Sequence, residues 1–237
     1  MTTPTSRPSP SSERLRDTLT HIKHLNDLPE EAVQAMIESA SLRHFDTGQV
    51  IYLEGEPAEY VYILESGWVK ATRMTHEGRE QGLHFLRPVE IFGDNAVFTR
   101  TTYPATTTVL EATDVWMIPS ESLLTMVKRF PDLALAIIHI LSERVLKYIE
   151  LVEDLSLRSV EARLASTLLR NTELVEGQLV VVRREWTTLD EMAVRLGTVR
   201  DVLSRAMKTL ELEGYIKVDK QKIVIVDPAE LAKRADR

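Results

Sequence analysis

The chain has 237 residues, 43% apolar and 27% charged, with a net charge of −7 and no cysteine. This composition supports a folded core and excludes a wholly disordered chain, a disulfide scaffold, a thiolate-held zinc or iron–sulfur centre and a thiol switch. The charge is uneven: residues 1–155 carry −9, while residues 156–237 carry +2, with 15 Lys and Arg against 13 Asp and Glu. A footprint on nucleic acid therefore belongs to the C-terminal part.

The polar, Pro/Ser-rich residues 1–12 read as a disordered tail without the apolar stretch of a secretory signal. Over 13–40, Leu15, Leu19 and Ile22, then Leu28, Val33, Met36 and Ile37, recur at helical spacing, and Pro29 opens the second of two short helices. From 43 to 118 the texture changes to short runs rich in Val, Ile, Tyr and Thr: 49–53, 60–65, 68–74, 80–86, 106–111 and 115–118. Turn residues separate them, including Gly48, Gly55, Gly67, Glu77-Gly78 and Gly93. Short strands at even spacing predict a β-sandwich or barrel, with Met74, Tyr103 and Trp116 as its core or surface.

After Pro119 a short helix runs to 129 and breaks at Phe130-Pro131. Residues 132–155 then contain no Gly or Pro, and Ile138, Leu141, Val145, Tyr148, Val152 and Leu155 are spaced 3-4-3-4-3. That is the seam of a coiled coil and predicts a homodimer through this helix. Ile137, Leu146 and Ile149 are left to pack on the helix's own domain. A further helix covers 156–171, which puts the domain junction at Asp154-Leu155-Ser156, and 173–182 reads as a loop and a short strand.

The stretch from Thr188 to Glu213 carries the most information. Thr187 or Thr188 caps a helix over 189–196, with Glu191 completing a capping box after Thr188. Gly197 stops it, and a second helix runs from near Thr198 to Glu213, ended by Gly214. Ala193 gives the small residue at the crossing, while Leu189, Met192, Leu196, Val202 or Leu203, Ala206 and Leu210 face inward. Two short helices across a tight glycine turn form a helix-turn-helix, whose second helix enters the DNA major groove. Its outward face is Thr198, Val199, Arg200, Asp201, Ser204, Arg205 and Lys208. Arginine can fork onto guanine and aspartate can accept from the cytosine amino group. Strands 215–218 and 222–226 form a wing that brings Lys217, Lys220 and Lys222 to phosphates.

Over roughly residues 15–230 the chain resembles the Crp/Fnr family of bacterial transcription regulators. Gly197-Thr-Val-Arg-Asp-Val-Leu-Ser-Arg205 is similar to the family's recognition helix, and Gly55-Glu-Pro-Ala-Glu-Tyr-Val-Tyr-Ile-Leu-Glu-Ser-Gly67 to the first signature of its cyclic-nucleotide-binding-like β-rolls. The resemblance implies an α+β chain: tail 1–12, a jelly-roll β-roll sensor with N-terminal helices over 13–131, a dimerisation helix 132–155, and a winged helix-turn-helix domain 156–237. It assigns base reading to Arg200, Asp201 and Arg205, and implies activation through RNA polymerase, for which the loop 171–178 is the expected surface. In cyclic-AMP-binding members a Gly-Glu helix meets the ribose and an Arg-Ser pair clamps the phosphate. Here the first place holds Gly93-Asp94-Asn95 and the second falls on Pro104-Ala105, with Arg100 nearby as a replacement cation. Losing a charged hydrogen bond costs about 1.5–3 kcal/mol, so cyclic-AMP control is not expected.

The expected protein is thus a homodimeric cytoplasmic activator of near-palindromic double-stranded DNA sites, with no membrane segment and no resident cofactor. It works without an effector or, alternatively, under an unidentified small molecule or a haem-bound gas. Haem ligands would come from His21, His24, His44, His76, His84, His139 or Met74, and His21 with His24 are spaced for a metal. A non-DNA cyclic-nucleotide adaptor is a remoter alternative. An enzyme is not expected, because the sequence has no His-x-His pair, P-loop or nucleophile elbow.

Overall fold

The computed structural model describes residues 10–74, 80–182, 189–219 and 221–236. The chain divides into two compact units, Met1–Val145 and Leu146–Arg237.

In the first unit, helices α1 (Pro10–His21) and α2 (Glu30–Ser39) precede two four-stranded antiparallel sheets. Strands β1 (Ser41–Phe45), β8 (Thr113–Pro119), β3 (Tyr60–Leu64) and β6 (Glu90–Phe92) form one sheet in that order. Strands β2 (Val50–Tyr52), β7 (Thr106–Glu111), β4 (Trp68–Met74) and β5 (Glu80–Leu86) form the other. Helix α1 takes in Pro10–Ser12, which the composition had assigned to the tail; proline is well tolerated in a first helical turn. Gly67 lies between β3 and β4 at φ 82°, and a Cβ there would meet Thr113 Oγ1 at 2.2 Å, so this position of the signature requires glycine.

Two apolar layers stabilise this unit. One packs the helices against the roll through Leu15, Leu19, Ile63, Ile118 and Leu133. The other fills the roll between the sheets with Phe45, Tyr52, Tyr62, Leu64, Phe92, Tyr103 and Val115. A short helix α3 (Asp94–Thr99) follows β6, and α4 (Ser120–Arg129) follows β8. Phe130 then breaks the chain before α5, which runs from Pro131 to Leu157.

The second unit begins on α5. The expected junction at Asp154-Leu155-Ser156 is helical instead, because nothing in it breaks a helix; the turn comes at Arg158-Ser159. There the Ser159 side chain accepts from the Ala162 N–H and caps α6 (Val160–Arg170). Residues 173–182 are a hairpin rather than a loop and one strand, β9 (Glu173–Val175) with β10 (Gln178–Val182). Its two-residue turn has positive φ at both Glu176 and Gly177, the arrangement that suits the twist of a tight hairpin. Helices α7 (Leu189–Arg195) and α8 (Arg200–Leu212) lead into β11 (Ile216–Val218), β12 (Lys222–Ile225) and α9 (Pro228–Ala235). The sheet order is β11-β12-β10-β9, and Leu164, Leu168, Leu203, Leu210, Ile223 and Leu231 form its core.

Candidate nucleic-acid interface and effector pocket

The α7–α8 turn is built as the glycine spacing predicts. Gly197 sits at φ 60°, its N–H donates to Val194 O at 3.0 Å, and Thr198 N–H donates to Ala193 O at 2.9 Å. Ala193 is buried at the crossing. Of the two candidates for the inward position, Leu203 is fully buried and Val202 is only half-buried. Helix α8 starts at Arg200 rather than near Thr198, because Val199 has extended backbone and occupies the N-cap.

Arg200, Asp201, Ser204, Arg205 and Lys208 are exposed, while Leu203, Ala206, Met207 and Leu210 are buried. At about 100° per residue, these two sets occupy opposite sides of the helix. Arg205 Nε donates to the Asp201 carbonyl at 3.4 Å, one turn back. Val199 is exposed just before the helix and Thr198 is half-buried. On the wing, β11 and β12 pair with Ile216 opposite Ile225, leaving Lys217 exposed and Lys222 half-buried. Thr188, with its capping box, and Lys220 lie outside the described residues.

The roll interior is filled by aromatic side chains. Gly93 has φ 76° and a Cβ there would meet Tyr62 at 3.1 Å, which brings β6 tightly onto the aromatic layer. Tyr52 and Tyr103 stack with ring centroids 3.9 Å apart, and Tyr62 stacks on Phe92 at 5.1 Å. The Tyr103 hydroxyl donates to Tyr60 O at 2.7 Å and accepts from Tyr60 N–H at 3.1 Å. Burial pushes the Tyr52 phenol up to about 12 and raises Tyr62 further. Of the expected phosphate clamp, Pro104 is exposed and Ala105 is buried.

Asp94 is 3% exposed. Arg144, half-way along α5, forks onto it: Nη1 donates to Oδ1 at 2.9 Å and to Oδ2 at 3.2 Å, and Nη2 donates to Ile91 O at 2.9 Å. Asn95 is exposed. Arg100, at φ 54°, lines an open groove of about 540 Å³ with Thr101, Thr102, Ser120 and Glu121. Beside Asp94 lies a cavity of about 20 Å³ lined by Leu25, Met36, Ile63 and Ile137, room for about one water.

The histidines are dispersed. His21 Nδ1 lies 2.8 Å from Asp17 O, His44 Nδ1 2.7 Å from Asp114, and His84 Nε2 3.3 Å from Glu90. His24 lies 3.1 Å from Glu143, with its ring 4.9 Å from that of His139. Among the described residues no three His, Asp or Glu side chains are placed to hold a metal ion. His76 lies outside the described residues, and Met74 is exposed.

Along α5, Ile138, Val145, Tyr148 and Val152 are exposed and Leu141 is half-buried; the Leu155 side chain lies outside the description. The division of labour expected on this helix is corrected in part. Ile137 packs on the helix layer, but Leu146 and Ile149 are as exposed as the seam, at 61% and 58%. Arg144 was missed altogether. Its only signal was a charged residue between apolar positions, which is also what a solvated helix face looks like.

Comparison with known proteins agrees with this architecture. The profile of the cyclic nucleotide-binding domain matches residues 42–130, and that of the Crp-like helix-turn-helix domain matches 162–234. The CRP-like cAMP-activated global transcriptional regulator of Mycobacterium tuberculosis is 25% identical over 207 residues, 86% of this chain and 92% of that protein. The global nitrogen regulator of Synechocystis is 27% identical over 197 residues, 80% of this chain and 86% of that one. The crystal structure of a Crp/Fnr-family regulator from Thermus thermophilus superposes with a TM-score of 0.64 at 25% identity, over 83% of this chain and 99% of that one. These are transcription regulators rather than members of a catalytic family, and among the described residues no helix is long and apolar enough to cross a membrane. With a β-roll, a long helix and a helix-turn-helix in this order, the chain belongs to the Crp/Fnr family of DNA-binding transcription regulators.

Proposed function

We propose that this regulator is a homodimeric, sequence-specific activator that binds near-palindromic promoter sites in the cytoplasm, independently of cyclic AMP and without any obligatory effector. The observation that carries the effector reading is the tyrosine-filled roll, with Asp94 already engaged by Arg144. A nucleotide entering there would have to displace the Tyr52–Tyr103 stack and would find no cation at Pro104-Ala105. DNA contact rests on the exposed face of α8, where Arg200, Asp201 and Arg205 read bases and Lys208 meets phosphates, together with Lys217 and Lys222 on the wing. Dimerisation rests on the exposed apolar seam of α5, and two-fold symmetry then sets two half-sites about 34 Å apart. The β9–β10 hairpin, with Leu174 73% exposed, is the surface offered to RNA polymerase.

The test is capture of fragmented genomic DNA by the purified protein at about 150 mM salt, where non-specific phosphate binding has weakened. Without added ligand, enrichment of fragments that share an inverted repeat is the expected result. Enrichment only after a small molecule is supplied would replace effector independence with gating. No enrichment under either condition would overturn the assignment of α8 as the reading helix.

A further inference from the structure

The open groove beside α3 has two walls tied to one short stretch of chain. Thr102 pairs with Pro57 in an isolated antiparallel bridge, and Ser120 N–H donates to Glu59 O at 2.8 Å. Residues 100–102 and the start of α4 are therefore both anchored to 57–59, and Ala58 and Leu124 add apolar atoms to the lining. At about 540 Å³ the groove falls within the roughly 300–1,000 Å³ of small-molecule sites. Tyr52, Tyr62 and Tyr103 are not part of its lining, so an occupant need not displace them.

The groove carries two charges of opposite sign. Arg100 lines one wall and Glu121 the other; both are exposed, and among the described residues neither takes an ion pair. Opposite charges that line one groove without meeting leave a gap, and a molecule that carries both charges can close it. Arg100 has φ 54°, a left-handed backbone that few non-glycine residues adopt, and its N–H donates to Val97 O at 3.2 Å. A glycine would satisfy the same turn without strain, so what this position supplies is the guanidinium. The hydroxyls of Thr102 and Ser120 line the same space and can donate or accept.

We propose that this groove binds a free α-amino acid with an apolar side chain. Arg100 takes its carboxylate, Glu121 takes its ammonium group, and Ala58 and Leu124 meet its side chain. A guanidinium presents paired donors that match the two oxygens of a carboxylate. An ammonium has three donors, which Glu121 and the neighbouring hydroxyls can accept. Glu121 disfavours a simple anion and Arg100 a simple cation, which leaves the molecule that is both. The inference goes beyond the promoter reading and does not depend on it, because every residue involved belongs to the first unit.

The experiment titrates the full chain by calorimetry with L-leucine, L-methionine and L-phenylalanine. Glycine, N-acetyl-L-leucine and L-leucinamide serve as analogues without the side chain, the ammonium or the carboxylate. At least one of the three amino acids should bind, and each analogue should bind more weakly. Arg100→Gln and Glu121→Gln replace exposed side chains, with urea unfolding as a check on the fold. Each should weaken the amino acid by about five- to tenfold, the value of a charged hydrogen bond reduced by solvent access. The decisive arm crosses residue with analogue: Glu121→Gln should leave the affinity for N-acetyl-L-leucine unchanged, and Arg100→Gln that for L-leucinamide. No binding of any of the three amino acids up to about 10 mM, wild-type affinity in both variants, or equal losses for intact and blocked ligands would overturn the site. Operator binding is not part of the readout, so failure of the promoter reading and failure of this site are told apart.

Discussion

Replacing Tyr103 tests whether the roll is filled by its own side chains. Tyr103 is 3% exposed, and its ring stacks on Tyr52 at 3.9 Å. Its hydroxyl closes a reciprocal pair of hydrogen bonds with the Tyr60 backbone, at 2.7 and 3.1 Å. Tyr103→Phe removes only the hydroxyl and leaves Tyr60 N–H and C=O without that partner. An unsatisfied buried group costs about 1–3 kcal/mol, and that is the expected loss. Tyr103→Ala also removes the ring, and aromatic truncations in a core cost about 3–5 kcal/mol. The two losses together are comparable with the whole stability of a small domain, roughly 5–15 kcal/mol. The assay is equilibrium urea unfolding followed by tryptophan fluorescence, to which Trp116, buried in the same unit, contributes. The Ala variant should acquire an apolar hole that phenol fills. At ten times its dissociation constant, phenol would restore about 1.4 kcal/mol, while the wild-type chain should not respond. A Phe variant within about 0.5 kcal/mol of wild type, together with an Ala variant indifferent to phenol, would refute the argument that the tyrosine occupies ligand space.

Other expectations follow from the same geometry. Arg200→Ala and Arg205→Ala should each cost about 1–3 kcal/mol in operator binding and relax preference at particular base pairs; a binding-site selection that returns the wild-type consensus for both would remove α8 from base reading. Replacing Val145 and Val152 by Asp puts charges on an apolar seam that is 55% and 62% exposed in the single chain. The protein should then sediment as a folded monomer and lose operator binding, and a variant that stays dimeric would move the interface elsewhere. In alkali, Tyr52 in the unfolded chain ionises near its ordinary value of about 10, but burial holds it neutral in the fold up to about 12. Its contribution to stability is therefore complete below pH 10 and is lost as the pH rises from 10 to about 12. Phenolate absorbance should lag behind that of free tyrosine and rise together with unfolding; a simple titration of every tyrosine near pH 10 would contradict the packing.

Local signals were legible where one residue type has a single physical reason to be present. Ala193 and Gly197 located the helix-turn-helix, the one because a small residue is needed where two helices cross, the other because the turn takes a positive φ. Gly67 marked the β3–β4 turn because no Cβ fits against Thr113. Pro104 and Ala105 read as a phosphate clamp without its chemistry, since neither side chain can donate to an anion. Long-range partners were not legible in the same way. Asp94 and Arg144 stand 50 residues apart, and their pairing depends on α5 passing β6, which spacing along the chain does not reveal. Tyr52, Tyr60 and Tyr62 were readable as strand residues and Tyr103 as roll core or surface, but that these aromatic rings meet between the two sheets follows only from the strand order. Strands β1 and β6 and helix α9 escaped notice because three to eight residues carry little periodicity.

The filled roll also bears on timing. A regulator that waits for a ligand responds as fast as that ligand binds or leaves, and its protein level matters little once saturating. On the proposed effector-independent reading, a chain whose roll is filled by its own tyrosine rings responds through its own abundance. Below its dimer constant, the concentration of paired molecules rises with the square of the concentration of single ones. Promoter output would then show a threshold in synthesis rate, and it would fade only as fast as growth and proteolysis dilute the protein. Such a design suits slow commitments between metabolic states rather than rapid tracking of a metabolite, and it places control of the regulon in the promoter and turnover of the regulator itself.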